Sequence, residues 1–142
     1  MEPTVPPGPI VNAVGVGVDL VDIDRVEEML SRHGVRAVHR LLTDGERSYC
    51  MSMARPAQHI AARLAAKEAA YKALQKAGDA RAVGWRDSEV VLNGDGGPTL
   101  RFHGRAERAA ARLAVTEVLV SLTHSNHSAA AVVILSRAAD PR

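Results

Sequence analysis

The chain has one cysteine, Cys50, which excludes an intramolecular disulfide and any zinc site built on several cysteines. Aromatic residues make up only 3% of its 142 residues, too few for the ring platforms on which single-stranded nucleic acid stacks. No apolar run approaches the roughly 20 residues that a bilayer-spanning helix needs. The opening "MEPTVPPGPIVN" carries an acidic residue and four prolines where a secretory signal has a basic start and an apolar run. Charge of one sign is scarce too, with 18 Lys and Arg against 16 Asp and Glu and a net charge of +2. Composition therefore gives no sign of a nucleic-acid partner. The expectation is a soluble, cytoplasmic protein with neither a nucleic-acid nor a membrane partner.

What is present suits one domain with a core of Val, Leu, Ile and Ala, since 46% of the residues are hydrophobic. Residues 1–12 read as a flexible, proline-rich lead, 13–136 as the single domain and 137–142 as a C-terminal tail. "AVGVGVDLV" alternates valine with glycine at the period of a strand. Asp22 or Asp24 can cap a helix over "DIDRVEEMLSRHG", which Gly34 would end. A second cap at Thr43 or Asp44 starts another helical turn or two. A long helix is expected from about residue 57 to 77, stopping at Gly78. "SEVVLNGDGGPTLRFHG" reads as a hairpin whose Asn and Gly supply positive φ, with Pro98 just past the turn. "GRAERAAARLAV" makes a short helix, and "EVLVSLTHSNHSAAAVVIL" makes two strands joined by a polar turn. Strands and helices alternate without βαβ regularity, so the fold class is α+β, a small and mainly antiparallel sheet packed on one long helix.

Chemistry enters on the first strand and the long helix. The strand places Gly15, Gly17 and Asp19 on one face, where missing side chains let a ligand or another backbone come close. Equally, the glycines can serve packing alone while Asp19 caps the next stretch of chain. GxGxxG is not present, because position 20 is Leu20. On the helix, Ile60, Leu64, Tyr71 and Leu74 recur at steps of three and four and form an apolar stripe. Lys67 falls near the centre of that stripe, so a polar partner is expected on the helix's inward face. Glu68 lies on its edge. Asp19 and Glu68, from a strand end and a helix, make a reasonable pair for Mg²⁺, which prefers oxygen ligands and also binds phosphates. Lys67, Lys72 and Arg63 can neutralise phosphate charge. The plainer alternatives are an i,i+4 surface pair between Glu68 and Lys72 and snorkelling side chains at Lys67 and Arg63. His124 and His127 in "THSNHS" read as turn histidines, one of them able to contact a phosphate. His33, His39, His59 and His103 read as structural or surface residues.

"GVGVDLVDIDRV", "RLLTDGE", "RLAAKEAAYKAL", "WRDSEVV" and "VSLTHSNHSAAAVVIL", in this order, resemble the holo-acyl-carrier-protein synthase family, the short, single-domain 4′-phosphopantetheinyl transferases. The resemblance covers residues 13–136. It implies a Mg²⁺-dependent transfer of 4′-phosphopantetheine from coenzyme A to a serine of apo acyl carrier protein, releasing adenosine 3′,5′-bisphosphate. By the same resemblance the metal ligands are Asp19 and Glu68 and the family's helix lysine is Lys72; Glu68 and Lys72 are the candidate catalytic residues. The coenzyme A contacts are Arg63, Lys67, Lys72 and His124, and Arg25 docks the carrier. It further implies a homotrimer with each active site between neighbouring subunits. The chain departs from the family pattern at Leu64 and Ala70, where aromatics are common, and at Tyr71, where a small residue commonly stands.

Overall fold

The valine–glycine alternation does form a strand. In the computed structural model, which describes residues 2, 4, 11–78 and 80–139, β1 spans Val11–Asp22. It is followed by α1 (Ile23–Leu41), α2 (Asp44–Met51), α3 (Pro56–Ala73), β2 (Ser88–Leu92), β3 (Pro98–Phe102), α4 (Gly104–Arg112), β4 (Glu117–His124) and β5 (Ser128–Ala138). All strand pairs are antiparallel, in a three-stranded sheet of order β1-β5-β4 and a separate β2-β3 hairpin. The α+β expectation holds, with α3 as the long unbroken helix; α1 is of similar length but kinked at Gly34.

The ladder pairs Val11 with Ala138 and Asn12 with Arg137. The sheet thus reaches beyond the domain edges expected at residues 13 and 136. The rest of the lead and tail, residues 1, 3, 5–10 and 140–142, falls outside the described residues.

Asp22 caps α1 by accepting the Asp24 N–H at 2.9 Å. Gly34 interrupts the helix, at φ 53° and ψ −133°, but does not end it, because helical geometry resumes to Leu41. Thr43 caps α2 in a reciprocal capping box with Glu46. In the hairpin turn the positive φ belongs to Gly96 and not to Asn93, whose carbonyl accepts the Gly96 N–H.

Helix α3 starts at Pro56, in the first-turn position where a missing N–H costs nothing. An amphipathic stripe was expected; the helix is instead buried on most sides, from Ala57 through Ala73. One apolar cluster joins its C-terminal half to β5 and the hairpin, and another joins its N-terminal half to α1 and α2. Small alanine side chains allow that close approach. The closest approach is to β1, where a Cβ at Gly17 would stand 1.8 Å from the Ala69 carbonyl oxygen and one at Gly15 2.1 Å from that of Ala73. The glycines therefore admit the helix backbone.

Candidate active site

Glycine contacts on β1 set where the first carboxylate meets the helix. Two strand residues advance about 6.6 Å and four helix residues about 6 Å, so the steps Gly15–Ala73 and Gly17–Ala69 stay in register. The next inward strand residue, Asp19, is thereby carried to the turn of α3 that bears Glu68. A cavity of about 280 Å³ is lined by both carboxylates together with Asp22, Arg25, Leu64 and Trp85.

A second cavity, of about 270 Å³, is lined by Glu68, Lys67, Tyr71, Val83, Gly84 and Trp85. Glu68 and Trp85 line both. Burial and the neighbouring Asp19 charge push the Glu68 carboxyl above the ordinary range, while the Lys72 ammonium opposes them.

Lys72 does not pair with Glu68 across one helical turn. Its Nζ donates to Asp19 Oδ1 at 3.0 Å and to the Val18 carbonyl at 3.1 Å. That places a cation against one of the two carboxylates. Two carboxylates with an under-compensated negative charge fit a hard divalent cation. Among the described residues no group of three or more His, Cys, Asp and Glu could hold a metal. Water and substrate oxygens would have to complete the shell, as is usual for Mg²⁺.

Arg25 lies on the exposed face of α1 and lines the same cavity. Its neighbours on the helix are engaged elsewhere, since Glu28 pairs with Arg32 at 2.8 Å and Asp22 caps its own helix.

Lys67 sits elsewhere. Its side chain is 2% exposed, and Nζ donates to Glu46 Oε1 at 2.7 Å, to the Trp85 carbonyl at 2.7 Å and to the Ser88 carbonyl at 2.5 Å. An ammonium has three donors, and all three are taken. The expected phosphate contact from Lys67 is thus at odds with its surroundings, and the polar partner anticipated on the inward face is Glu46. Burial pushes the Lys67 ammonium down in pKa, while Glu46 holds it up.

Arg63 is also buried. Its guanidinium lies 4.4 Å above the Tyr49 ring, and its Nε has no hydrogen-bond partner. It belongs with His59 and His124 in a basic group, where burial and then the charges of Arg63 and His124 push His59 down. His124, at the end of β4, contacts the Gln58 amide at 2.7 Å. From Gln58 to Glu68 is roughly 15 Å of helix rise. A single chain therefore brings Asp19, Glu68, Lys72 and Arg25 together and leaves His124 apart.

Comparison with known proteins shows the family. The family model of the 4′-phosphopantetheinyl transferase superfamily matches residues 15–133. This chain belongs to that superfamily. The holo-[acyl-carrier-protein] synthase of Geobacter metallireducens is 42% identical over 123 residues, which are 87% of this chain and 97% of that one. The acyl carrier protein synthase structure from Mycobacterium tuberculosis has a TM-score of 0.65 at 39% identity, covering 87% of this chain and 97% of the other. The ACPS–CoA complex of Chronobacterium ammoniagenes has a TM-score of 0.70 at 31% identity, covering 89% and 98%.

Two contributors escaped the sequence reading. Glu46 stood only inside the motif "RLLTDGE"; the structure makes it the fourth residue of the Thr43 capping box, a place where Glu ordinarily faces solvent. Trp85 showed only as part of a motif; its place beside Glu68 depends on a turn 17 residues further along the chain.

Proposed function

We propose that this chain transfers the 4′-phosphopantetheine group of coenzyme A to a serine of apo acyl carrier protein and releases adenosine 3′,5′-bisphosphate. The observation that carries the reading is a pocket lined by Asp19 and Glu68, with Lys72 bonded to Asp19, in a chain of the phosphopantetheinyl transferase superfamily. In the reaction the serine oxygen attacks the phosphorus that carries pantetheine. The bond from that phosphorus to the bridging oxygen of the pyrophosphate breaks. The serine proton is lost and the bisphosphate departs.

Asp19 and Glu68 would hold Mg²⁺, whose charge, when bound, offsets that of the pyrophosphate. Glu68, directly or through water, takes the serine proton; burial and the Asp19 charge raise its pKa, which makes it a stronger proton acceptor than an ordinary carboxylate. Lys72, fixed by Asp19 and the Val18 carbonyl, stabilises or protonates the departing phosphate. Arg63 and His124 remain as contacts for coenzyme A phosphates. Arg25, exposed at the rim, meets the acidic carrier.

A homotrimer accompanies this reading. Val16, Val18 and Leu20 are 64–68% exposed on the outer face of β1, and Leu119 on β4 is 50% exposed. An uncovered apolar sheet face supports burial against another copy. The distance of His124 from its own chain's carboxylates supports a site completed by a neighbouring subunit. No helix of the described residues is long and apolar enough to cross a membrane.

The functional test is incubation with apo acyl carrier protein, coenzyme A and Mg²⁺, read by intact mass. The expected result is a carrier bearing one 4′-phosphopantetheine, with no adduct on a carrier whose acceptor serine is alanine. A wild-type carrier that stays unmodified would overturn the reading.

A further inference from the structure

Lys67 and Glu68 are adjacent on α3 but belong to different networks. Glu46 is as fully engaged as its partner Lys67. Its Oε1 also accepts the Thr43 N–H at 3.0 Å, and its Oε2 accepts the Val90 N–H at 2.9 Å. With the Trp85 and Ser88 carbonyls bound to Lys67, this one pair ties together the start of α2, the middle of α3, the turn bearing Trp85, and β2. Glu89 extends the network by accepting from Thr43 Oγ1 at 2.6 Å and contacting His103 Nε2 at 2.9 Å. An apolar pair of similar volume could fill the same space, and buried ion pairs are often no more stabilising than such a replacement. It would, however, leave two carbonyls and two N–H groups without these partners, and so would not fix Trp85 relative to α3.

We infer that the Glu46–Lys67 pair is a positioning device for the reaction. It sets the Glu68 carboxylate and the Trp85 ring, the two side chains common to both cavities, and Lys67 makes no phosphate contact. The inference rests on the functional reading above, because positioning has meaning only for a reaction at Glu68.

Lys67→Arg, Lys67→Met and Glu46→Gln separate the roles. Arginine is a good phosphate ligand, but its planar fork cannot meet one carboxylate and two carbonyls as a single ammonium does. Positioning predicts that Lys67→Arg and Glu46→Gln each lower kcat about 10- to 100-fold, the scale of a misplacement near 1 Å, with KM for coenzyme A little changed. It also predicts a shifted emission from Trp85, the only tryptophan, in protein free of metal and substrate. A phosphate contact predicts the reverse: Lys67→Arg near wild type, Lys67→Met with raised KM for coenzyme A, and Glu46→Gln silent. Either wild-type kcat in Lys67→Arg or a KM effect confined to Lys67→Met overturns the inference. Lost stability with kcat and Trp85 emission unchanged overturns it too. Should Lys67→Met fail to fold, Lys67→Arg, which keeps the charge, decides alone. Should wild-type protein leave the carrier unmodified, the functional reading fails, while an unshifted Trp85 emission in these variants still refutes the pair's hold on Trp85.

Discussion

Two acid–base pairs meet α3, one at Lys67 and one at Lys72, on either side of Glu68. The Glu46–Lys67 pair is shut away, with side chains 0% and 2% exposed, all three ammonium donors used and both carboxylate oxygens bonded. The Asp19–Lys72 pair is open, with side chains 21% and 51% exposed, and a second carboxylate, Glu68, stands beside it with its pKa raised. Charges alike in type thus do unlike work. Satisfaction of every hydrogen bond marks the pair that holds the fold in place. Unmatched negative charge in an accessible pocket marks the pair proposed to receive a ligand.

The sharpest break between the two comes from turnover. Asp19→Ala or Glu68→Ala should lower transfer roughly 10²–10³-fold, in the range seen when one transition-state electrostatic partner is removed. Urea unfolding should barely change, since an open ion pair contributes at most about 1 kcal/mol. Near wild-type turnover at saturating Mg²⁺ in either variant would merge the two regions into one structural class.

The buried pair should show the opposite balance. Lys67→Met strands the Glu46 carboxylate and should cost about 3–5 kcal/mol in urea unfolding. Glu46→Leu combined with Lys67→Met should recover much of that stability without recovering turnover. Recovery of both would make the pair a stability element only.

Gly17→Ala probes the contact that aligns the regions. Its Cβ would stand 1.8 Å from a helix carbonyl oxygen, so α3 must move away from β1. A loss of about 1–3 kcal/mol is expected from overpacking, with reduced turnover as Asp19 and Glu68 separate. Unchanged unfolding and turnover would show that the strand–helix contact does not set the site.

A smaller effect is expected at the rim. Arg25→Glu should raise KM for the carrier several-fold, leave KM for coenzyme A nearly unchanged, and worsen as salt is lowered, when like-charge repulsion is less screened. Steady-state kinetics with each substrate varied separately measure this. An unchanged carrier KM at low salt would return Arg25 to an ordinary solvated side chain.

The open region was more legible in the sequence than the closed one. Period two on β1 put Asp19 on the glycine face, and that face proved to meet α3 through backbone contact at Gly15 and Gly17. The choice between ligand and backbone needed the structure, because absent side chains look the same in either case. Lys67 announced a buried polar partner by its place on the stripe, yet nothing local named Glu46, which lies 21 residues earlier and already had a capping role. The burial of α3 on most sides was hidden by its alanines, which suit an exposed helix and a tightly packed one equally well. Gly34 signalled a break correctly but could not tell a kink from an end, since both need positive φ.

The account rests most directly on a divalent site made by Asp19 and Glu68, and equilibrium titration of Mg²⁺ into protein saturated with coenzyme A, repeated across pH, tests it. Glu68 must be ionised to bind metal, and its pKa is raised, so affinity should fall on acidification from a pH above the ordinary glutamate range. Lys72 lowers that pKa, so Lys72→Met should move the acid limb to higher pH. The account predicts saturable binding that Asp19→Asn and Glu68→Gln each weaken by about tenfold or more. Equal affinity in wild type and both variants, with no acid limb, would contradict it.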